Sequence, residues 1–242
     1  MRTLIGIGVG PGDPELLTLK AARLLRAADV VFAPSTALDR ESRAEQIVLS
    51  ATEIRARRLV FALEDQGGVT AERTAAWDAA ARAVIEAFDN GAETVAFVTL
   101  GDPNVYSTFG YLAQTVAAFD AGVRIESVPG ITAMQDLAAR ADIRLAEGRE
   151  PLTLVPATAG LDELEKALNL PGTVVVYKGG RQLGELKARV EEMGRMEEAV
   201  LGTDLGLPTE SVGPLRDHAE GRAPYFTTLI LPPVRGARGE AL

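Results

Sequence analysis

Three short turns in the first half of the sequence combine glycine with an acidic or hydroxyl residue. They are GPGD at 10–13, GDP at 101–103 and PGIT at 129–132. Each follows an apolar run and precedes a predicted helix, so each should lie beyond the carboxyl end of a strand, where open α/β sheets bind ligands. The polar side chains could accept hydrogen bonds from a ligand, or they could cap the helices that follow. One such turn is weak evidence, but three together favour a binding pocket.

A fourth turn, YKGGR at 177–181, places two cations after a buried strand. Lys178 and Arg181 could be solvated loop residues. They could also bind ligand carboxylates, which arginine engages through two parallel hydrogen bonds. His218 lies in a polar stretch and is expected to be a surface residue.

The first turn looks like a nucleotide-binding loop but does not match one. Gly6, Gly8 and Gly10 alternate along the predicted strand, yet G-x-G-x-x-G fails in both frames because Pro11 and Asp13 occupy its last position. No Gly-Lys-Ser/Thr follows, which excludes a phosphate-binding P-loop. Glycines two apart lie on one face of a strand, where they admit either another backbone or a flat ligand.

The composition restricts the chemistry further. The 242 residues carry a formal charge of −9, from 25 Lys and Arg against 34 Asp and Glu, which disfavours a nucleic-acid partner. The absence of cysteine excludes disulfides and thiolate catalysis, and a single histidine excludes a multi-histidine metal centre, so we expect no metal. No apolar run reaches the ~20 residues of a membrane helix, and we expect a cytoplasmic protein without a membrane partner.

Hydrophobic periodicity predicts an α/β protein of two domains, 1–131 and 132–242. The predicted strands are 3–9, 29–33, 94–100, 123–128, 151–156, 173–177, 197–202 and 226–231. The predicted helices are 14–27, 70–88, 104–119, 132–140, 161–168 and 182–194. Residues 204–224 are expected to form a loop, and the tail 232–242 is expected to be frayed.

Five stretches resemble a known family, in this order: GVGPGDPELLTLKAARLLRAADVV, TLGDPNVYSTFGYL, VPGITAMQDLAAR, YKGGR and PYFTTLILPP. They resemble the tetrapyrrole methylases, which use S-adenosylmethionine (SAM) in corrinoid and sirohaem synthesis. GDP-x-x-Y-S-T and Y-K-G-G-R are most similar to the branch that methylates carbon 20 of precorrin-2. The resemblance implies two domains, each a mixed sheet with flanking helices, an active site in the cleft between them, and a homodimer.

The resemblance also implies which residues bind the ligands. It assigns SAM binding to Pro11, Leu100, Gly101, Asp102, Val105, Thr132, Ala133, Tyr177, Lys178 and Thr228. We expect the tetrapyrrole substrate to be bound by Gly8, Gly10, Asp13, Tyr106, Ser107 and Arg181. Two departures are visible: Lys178 stands where sirohaem-type relatives have methionine, and 59–65 lacks the Pro-Met-Thr-like segment of many relatives in this branch.

The implied reaction moves a methyl group from SAM to carbon 20 of precorrin-2 and gives precorrin-3A, a step of cobalamin synthesis. The ring carbon is already nucleophilic and the sulfonium already electrophilic. The protein therefore has mainly to align them, which can lower a barrier by ~7–11 kcal/mol. No catalytic residue is assigned, although Asp13, Asp102 and Tyr106 are candidates for a base.

Several alternatives remain open at this point. Within the family, the substrate could be cobalt-precorrin-2, or another corrinoid position could be methylated. From other classes, the chain could be a different small-molecule transferase or a dinucleotide-dependent enzyme on an ordinary doubly wound sheet. It could also be a relative that modifies RNA or protein.

Overall fold

The computed structural model describes residues 1–62, 68–218, 221, 223–237 and 239. The chain divides into two compact units, Met1–Thr132 and Ala133–Leu242. The domain boundary predicted from the sequence lies one residue earlier. Of the stretch 59–65, positions 63–65 lie outside the described residues.

The described residues form ten strands and seven α-helices. The strands are β1 (Thr3–Gly8), β2 (Val30–Ser35), β3 (Arg57–Val60), β4 (Thr94–Thr99), β5 (Arg124–Val128), β6 (Leu152–Pro156), β7 (Thr173–Tyr177), β8 (Val200–Thr203), β9 (Ser211–Pro214) and β10 (Thr227–Leu231). The helices are α1 (Leu19–Ala27), α2 (Arg43–Thr52), α3 (Ala71–Asp89), α4 (Phe109–Phe119), α5 (Ala133–Arg140), α6 (Leu161–Leu168) and α7 (Leu183–Glu192).

The N-terminal unit is built on a sheet with the strand order β3-β2-β4-β1-β5, and these strands pair in parallel. Successive side chains of β1 alternate between two apolar clusters. Leu4 packs on the face that α3 and α4 cover, and Ile5 and Ile7 pack on the face that α1 and α2 cover. Burial on both faces accounts for the unbroken apolar runs of β1 and β4.

The C-terminal unit has a mixed sheet with the order β6-β7-β10-β8-β9, in which β6 and β7 are parallel and the other neighbours antiparallel. Val174 and Val176 of β7 face α6 and α7, while Val175 faces Leu137 of α5. The predicted α/β fold with flanking helices is thus confirmed. Among the described residues of the N-terminal unit, antiparallel pairing is limited to a bridge between Gly10 and Gly101 beyond the strand ends.

Two predicted helices begin later than the sequence pattern indicates. The predicted helix 14–27 is a 3₁₀ turn at Pro14–Leu16 followed by α1, because Leu17 is extended and the Thr18 hydroxyl caps α1 at Ala21. The predicted helix 104–119 begins only at Phe109, since the left-handed backbone of Tyr106 (φ 49°) interrupts the chain before it.

Other segments were predicted incompletely. Strand β2 continues through Pro34 to Ser35, and α2 and β3 had no counterpart in the prediction. The predicted loop 204–224 contains β9, which pairs with β8. Residues 232–235 of the predicted frayed tail are anchored, because the Pro232 carbonyl accepts a hydrogen bond from Arg195 and Arg235 is bound by Glu150.

The turns after β1, β4 and β5 pack backbone against backbone. A Cβ on Gly8 would lie 2.5 Å from the Gly101 carbonyl oxygen and 2.6 Å from the Gly130 nitrogen, and a Cβ on Gly130 would also clash with that carbonyl oxygen. The alternating glycines could admit either another backbone or a flat ligand. At Gly8, another backbone makes the close approach. Gly6 likewise makes room for the Phe109 ring.

Replacement of Gly130 by alanine tests this contact. Because the methyl group would meet backbone atoms, we expect Gly130→Ala to lower the free energy of unfolding by about 1–3 kcal/mol, the usual cost of overpacking. Denaturant unfolding measures the change. Gly110→Ala is the matched control, since Gly110 lies in α4 with open space around its Cβ position and alanine favours helix. Equal stability of Gly130→Ala and the parent protein would contradict the packing.

The anchored tail gives a pH-dependent contribution to stability. Arg235 donates from Nε to Glu150 Oε1 (2.8 Å), and both side chains are largely buried. This hydrogen bond lowers the pKa of Glu150 from its ordinary 4.5. A carboxylate whose pKa is depressed on folding stabilises the protein above its unfolded pKa, and that stabilisation is lost as the pH falls through the folded-state value.

We therefore expect Arg235→Ala to destabilise the protein at pH 7, and the difference from the parent to shrink as the pH falls below 4.5. Urea midpoints between pH 7 and pH 3 measure this difference. Arg189→Ala removes an exposed pair with Glu192 and should change the midpoints little at any pH. A difference for Arg235→Ala that stays constant across the range would contradict the assignment.

Candidate active site

The carboxyl edge of the N-terminal sheet gathers the three turns that the sequence singled out. Strands β4, β1 and β5 are neighbours, so their turns lie side by side, as predicted. Gly101 and Gly10 exchange backbone hydrogen bonds, with 2.7 Å from the Gly101 nitrogen to the Gly10 oxygen. Gly10 has a φ of 87°, so any side chain there would strain the backbone. Pro11 is buried at this edge.

Asp102 joins two of the turns. Its Oδ2 accepts a hydrogen bond from the Gly130 nitrogen (3.0 Å) and its Oδ1 accepts one from the Asn104 nitrogen (2.8 Å). Only 9% of the residue is exposed, so both bonds lie in a largely dry environment. Since α4 begins seven residues later, Asp102 does not cap that helix, and its carboxylate fixes the β4 turn to the β5 turn.

The segment between Asp102 and α4 exposes one of the predicted substrate residues. Tyr106 is exposed and has a left-handed backbone, a conformation that bulky residues rarely adopt. The Ser107 hydroxyl is 2.9 Å from the Thr99 hydroxyl and accepts a hydrogen bond from the Phe109 nitrogen (3.1 Å). Val105 is half-buried. Ser107 thus has a structural partner at the start of α4, whereas the Tyr106 side chain reaches solvent.

The remaining N-terminal candidates are placed as follows. Asp13 accepts a hydrogen bond from the Glu15 nitrogen (2.9 Å), which makes it the cap of the 3₁₀ turn. Thr132 is buried, and its α-carbon lies 3.9 Å from the position of a Cβ on Gly101. Leu100 packs on the apolar cluster of α1 and α2. Leu100, Gly101 and Thr132 are therefore brought together at the same edge.

The C-terminal unit has its own cluster, at the carboxyl end of β7. The Tyr177 hydroxyl accepts a hydrogen bond from the Met134 nitrogen (3.2 Å) and so ties this strand end to the first turn of α5, which Ala133 begins. Thr228 of β10 pairs directly with Tyr177 and is buried. The strand register and the hydrogen bond to α5 thus bring three predicted SAM-binding residues, Ala133, Tyr177 and Thr228, to one edge of this sheet.

The cations of the YKGGR turn have different surroundings. Lys178 has a φ of 60°, and its Nζ lies 5.6 Å from the centre of the Tyr225 ring. Gly180 packs against the Pro224 carbonyl, where a Cβ would clash. Arg181 is exposed on the short 3₁₀ helix Gly179–Gln182. Lys178 and Arg181 therefore lie close to the cluster without being buried in it.

Sequence reasoning missed two features of this edge. Asp204 follows β8 with a φ of 52°, is buried, and accepts a hydrogen bond from the Thr209 hydroxyl (3.1 Å). Tyr225 and Phe226 precede β10 with their rings in contact. The motif PYFTT was visible in the sequence, but no periodicity distinguishes an exposed aromatic residue before a strand from a buried one within it.

Other features lie away from these edges. An open cavity of about 560 Å³ is found at the opposite, amino-terminal edge of the N-terminal sheet, with Asp29, Arg57 and Glu86 in its lining. Across the described ranges, no three His, Asp or Glu side chains are grouped to hold a metal ion. Within the same ranges, no helix is both long and apolar enough to cross a membrane.

Comparison with known proteins identifies the family. The family model described as Tetrapyrrole (Corrin/Porphyrin) Methylases matches residues 3–217. The chain is 32% identical to a cobalt-precorrin-2 C(20)-methyltransferase of Salmonella typhimurium, over 94% of this chain and 95% of that protein. It is 31% identical to a precorrin-2 C(20)-methyltransferase of Sinorhizobium sp, over 95% of this chain and 94% of that protein.

Solved structures agree at the level of the fold. A cobalt precorrin-4 methyltransferase has a TM-score of 0.68 at 22% identity, with 94% of each chain covered. A uroporphyrin-III C-methyltransferase of Thermus thermophilus has a TM-score of 0.65 at 23% identity, with 96% of this chain and 92% of that chain covered. On the sequence match and the shared fold, the chain belongs to the tetrapyrrole methylase family.

Proposed function

We propose that this protein is a SAM-dependent methyltransferase that adds a methyl group to carbon 20 of precorrin-2, giving precorrin-3A, in cobalamin biosynthesis. The observation that carries the proposal is the similarity to two C(20)-methyltransferases over at least 94% of this chain and of each relative. The solved relatives that are 22% and 23% identical support the fold alone.

A cobalt-containing substrate is the second candidate. One relative is named for cobalt-precorrin-2 and the other for precorrin-2, and their identities to this chain are 32% and 31%. Such a small difference favours neither form. We therefore propose only that carbon 20 is methylated. Whether the ring already contains cobalt is decided by comparing the rates on the two forms.

The residues at the two sheet edges fit a ligand such as SAM. Thr132 and Thr228, residues that are only 7% and 3% exposed, each carry a hydroxyl group, and the turns provide backbone amides and carbonyls. An amino acid group and a ribose need such partners. We propose that SAM is bound by Pro11, Leu100, Gly101, Asp102, Val105, Thr132, Ala133, Tyr177, Lys178 and Thr228, and the substrate by Gly8, Gly10, Asp13, Tyr106, Ser107 and Arg181.

When bound, SAM supplies an electrophilic methyl group, whose bonding electrons remain on the sulfur after transfer to the ring carbon. The chain's own contribution is to hold this geometry. Asp102 fixes the turns after β4 and β5, and the glycine contacts leave them little room to move, so less reorganisation is needed to align the reactants. Since both Asp102 oxygens accept backbone hydrogen bonds, we propose that Asp102 is a positioning residue rather than a base.

Anaerobic incubation of the purified protein with precorrin-2 and ¹³C-methyl-labelled SAM tests the proposal. We expect one labelled methyl group on carbon 20, located by NMR of the product. Parallel kcat/KM measurements on cobalt-precorrin-2 show which ring form is preferred. A labelled methyl group at a different ring carbon, or no labelled ring on either substrate, would contradict the proposal.

We further propose that the enzyme is a cytoplasmic homodimer that needs no metal, nucleic acid or membrane partner, as the family resemblance and the acidic composition suggest. Sedimentation equilibrium should then give twice the chain mass of 25.6 kDa. A single species of chain mass at micromolar concentration would contradict the dimer.

A further inference from the structure

Two aromatic residues at the edge of the C-terminal sheet have no role in the proposed SAM site. Tyr225 and Phe226 come directly before β10, in the motif PYFTT. All five residues of β10 are buried, whereas Phe226 is 43% exposed. A single exposed aromatic ring is ordinary on a protein surface, so the neighbours of Phe226 decide whether it has a role.

The strand register places these rings beside the predicted ligand-binding residues. Thr228, two residues after Phe226, pairs with Tyr177, and the next residue after Tyr177 is Lys178. The Lys178 Nζ lies 5.6 Å from the centre of the Tyr225 ring. The ammonium group therefore lies over the Tyr225 ring, which in turn contacts the Phe226 ring, where β7 ends and β10 begins.

The backbone holds the aromatic pair in place. The Phe226 carbonyl accepts a hydrogen bond from the Asp204 nitrogen (3.3 Å), and the Tyr225 carbonyl accepts one from the Thr227 nitrogen (2.9 Å). The Thr227 hydroxyl donates to the Pro224 carbonyl (2.5 Å). Because these bonds fix the segment before any ligand arrives, a flat molecule would bind without first ordering it.

The two rings have a defined geometry. Their centres are 5.2 Å apart and their planes meet at 80°, an edge-to-face arrangement. Tyr225 is half-buried beneath Lys178, which leaves Phe226 as the more exposed ring. A flat ligand on Phe226 would therefore lie next to a cation, an arrangement suited to a conjugated molecule with carboxylates at its rim.

The net charge of the protein limits where a polycarboxylate can bind. The chain has a formal charge of −9, so a polycarboxylate is repelled by most of it and must be bound where cations are concentrated. Lys178 has a left-handed backbone (φ 60°), which is an unfavourable conformation for a residue other than glycine. The fold thus maintains a strained residue at the place where the ammonium group meets the aromatic pair.

We infer that Phe226 and Tyr225 form a platform for the flat face of the tetrapyrrole substrate, and that the Lys178 ammonium group pairs with one of its carboxylates. The backbone of Lys178, which follows Tyr177, is the part that we propose for the SAM site. This inference rests on the proposed function, because it identifies the ring system of the proposed substrate as the ligand. It differs from a cofactor contact in one measurable way: the platform acts on substrate affinity and leaves SAM affinity unchanged.

Steady-state kinetics with Phe226→Leu tests the platform. Leucine keeps an apolar side chain but removes the ring, so we expect the KM for precorrin-2 to rise about tenfold with kcat little changed. The Kd of S-adenosylhomocysteine, measured by calorimetry, should stay within about twofold of the parent value. Phe119→Leu is the matched control, because Phe119 is 44% exposed at the end of α4, and its kinetics should match those of the parent.

Lys178→Gly separates the ammonium group from the backbone conformation. Glycine adopts a positive φ readily, so the variant should fold at least as well as the parent, which thermal unfolding checks. We expect its KM for precorrin-2 to rise about tenfold, as for the loss of one charged contact. Lys178→Arg should restore most of the affinity.

Three outcomes would overturn the inference. One is a KM for precorrin-2 that is unchanged in both Phe226→Leu and Lys178→Gly. Another is a weaker Kd for S-adenosylhomocysteine in Phe226→Leu, since the ring would then belong to the cofactor site. The third is a rise in the KM for precorrin-2 in Phe119→Leu that equals the rise in Phe226→Leu. A parent protein that methylates neither precorrin-2 nor cobalt-precorrin-2 would instead overturn the proposed function, and binding of precorrin-2 by fluorescence quenching would then still test the platform.

Discussion

The contact between Gly8, Gly130 and the carbonyl oxygen of Gly101 leaves no room for a side chain, and the N-terminal site depends on it. It allows the ends of three neighbouring strands to touch through their backbones. Asp102 then joins two of the turns through a hydrogen bond to the Gly130 nitrogen. An edge of this kind presents amides and carbonyls in fixed directions, which suits a reaction in which both reactants are already activated and the protein has mainly to align them.

Backbone strain is also found in segments that follow strands of both units. Tyr106, Lys178 and Asp204 follow β4, β7 and β8, and each has a positive φ that costs about 1–3 kcal/mol in a residue other than glycine. Two further cases, Glu53 and Asp142, follow helices, where left-handed residues are common. Tyr106, Lys178 and Asp204 do not end helices, so helix termination does not account for their strain. It is consistent with side chains held toward a ligand, as we propose for Lys178.

The sequence was sufficient for much of the fold, because alternating and continuous apolar runs identify strands and helices directly. Helix α2 was missed although Ser42 and Glu45 have the spacing of a capping box, and the Ser42 hydroxyl does accept a hydrogen bond from the Glu45 nitrogen. The short strand β9 was missed because Gly213 and Pro214 give it the composition of a loop. The start of α4 depends on the backbone of Tyr106, which no apolar pattern reveals.

Less of the candidate site than of the fold could be predicted from the sequence. That the turns after β1, β4 and β5 meet follows from parallel strands, but the role of Asp102 as a link between turns depends on a contact across 28 positions of the chain. The assignments to SAM came from the family motifs, because turns of this composition occur with many ligands. Neither the position of Asp204 nor the exposure of Phe226 could be predicted from the sequence, since their surroundings depend on the pairing of β10 with both β7 and β8.

We propose that the ligands bind at the carboxyl edge of the N-terminal sheet and at the edge of the C-terminal sheet where β7 ends and β10 begins. A crystal structure of the protein with S-adenosylhomocysteine tests it most directly. We expect the ligand to contact Gly101 and Thr132 in the N-terminal unit and Tyr177 and Thr228 in the C-terminal unit. Binding in the cavity beside Arg57 and Glu86, at the amino-terminal edge of the N-terminal sheet, would contradict the account.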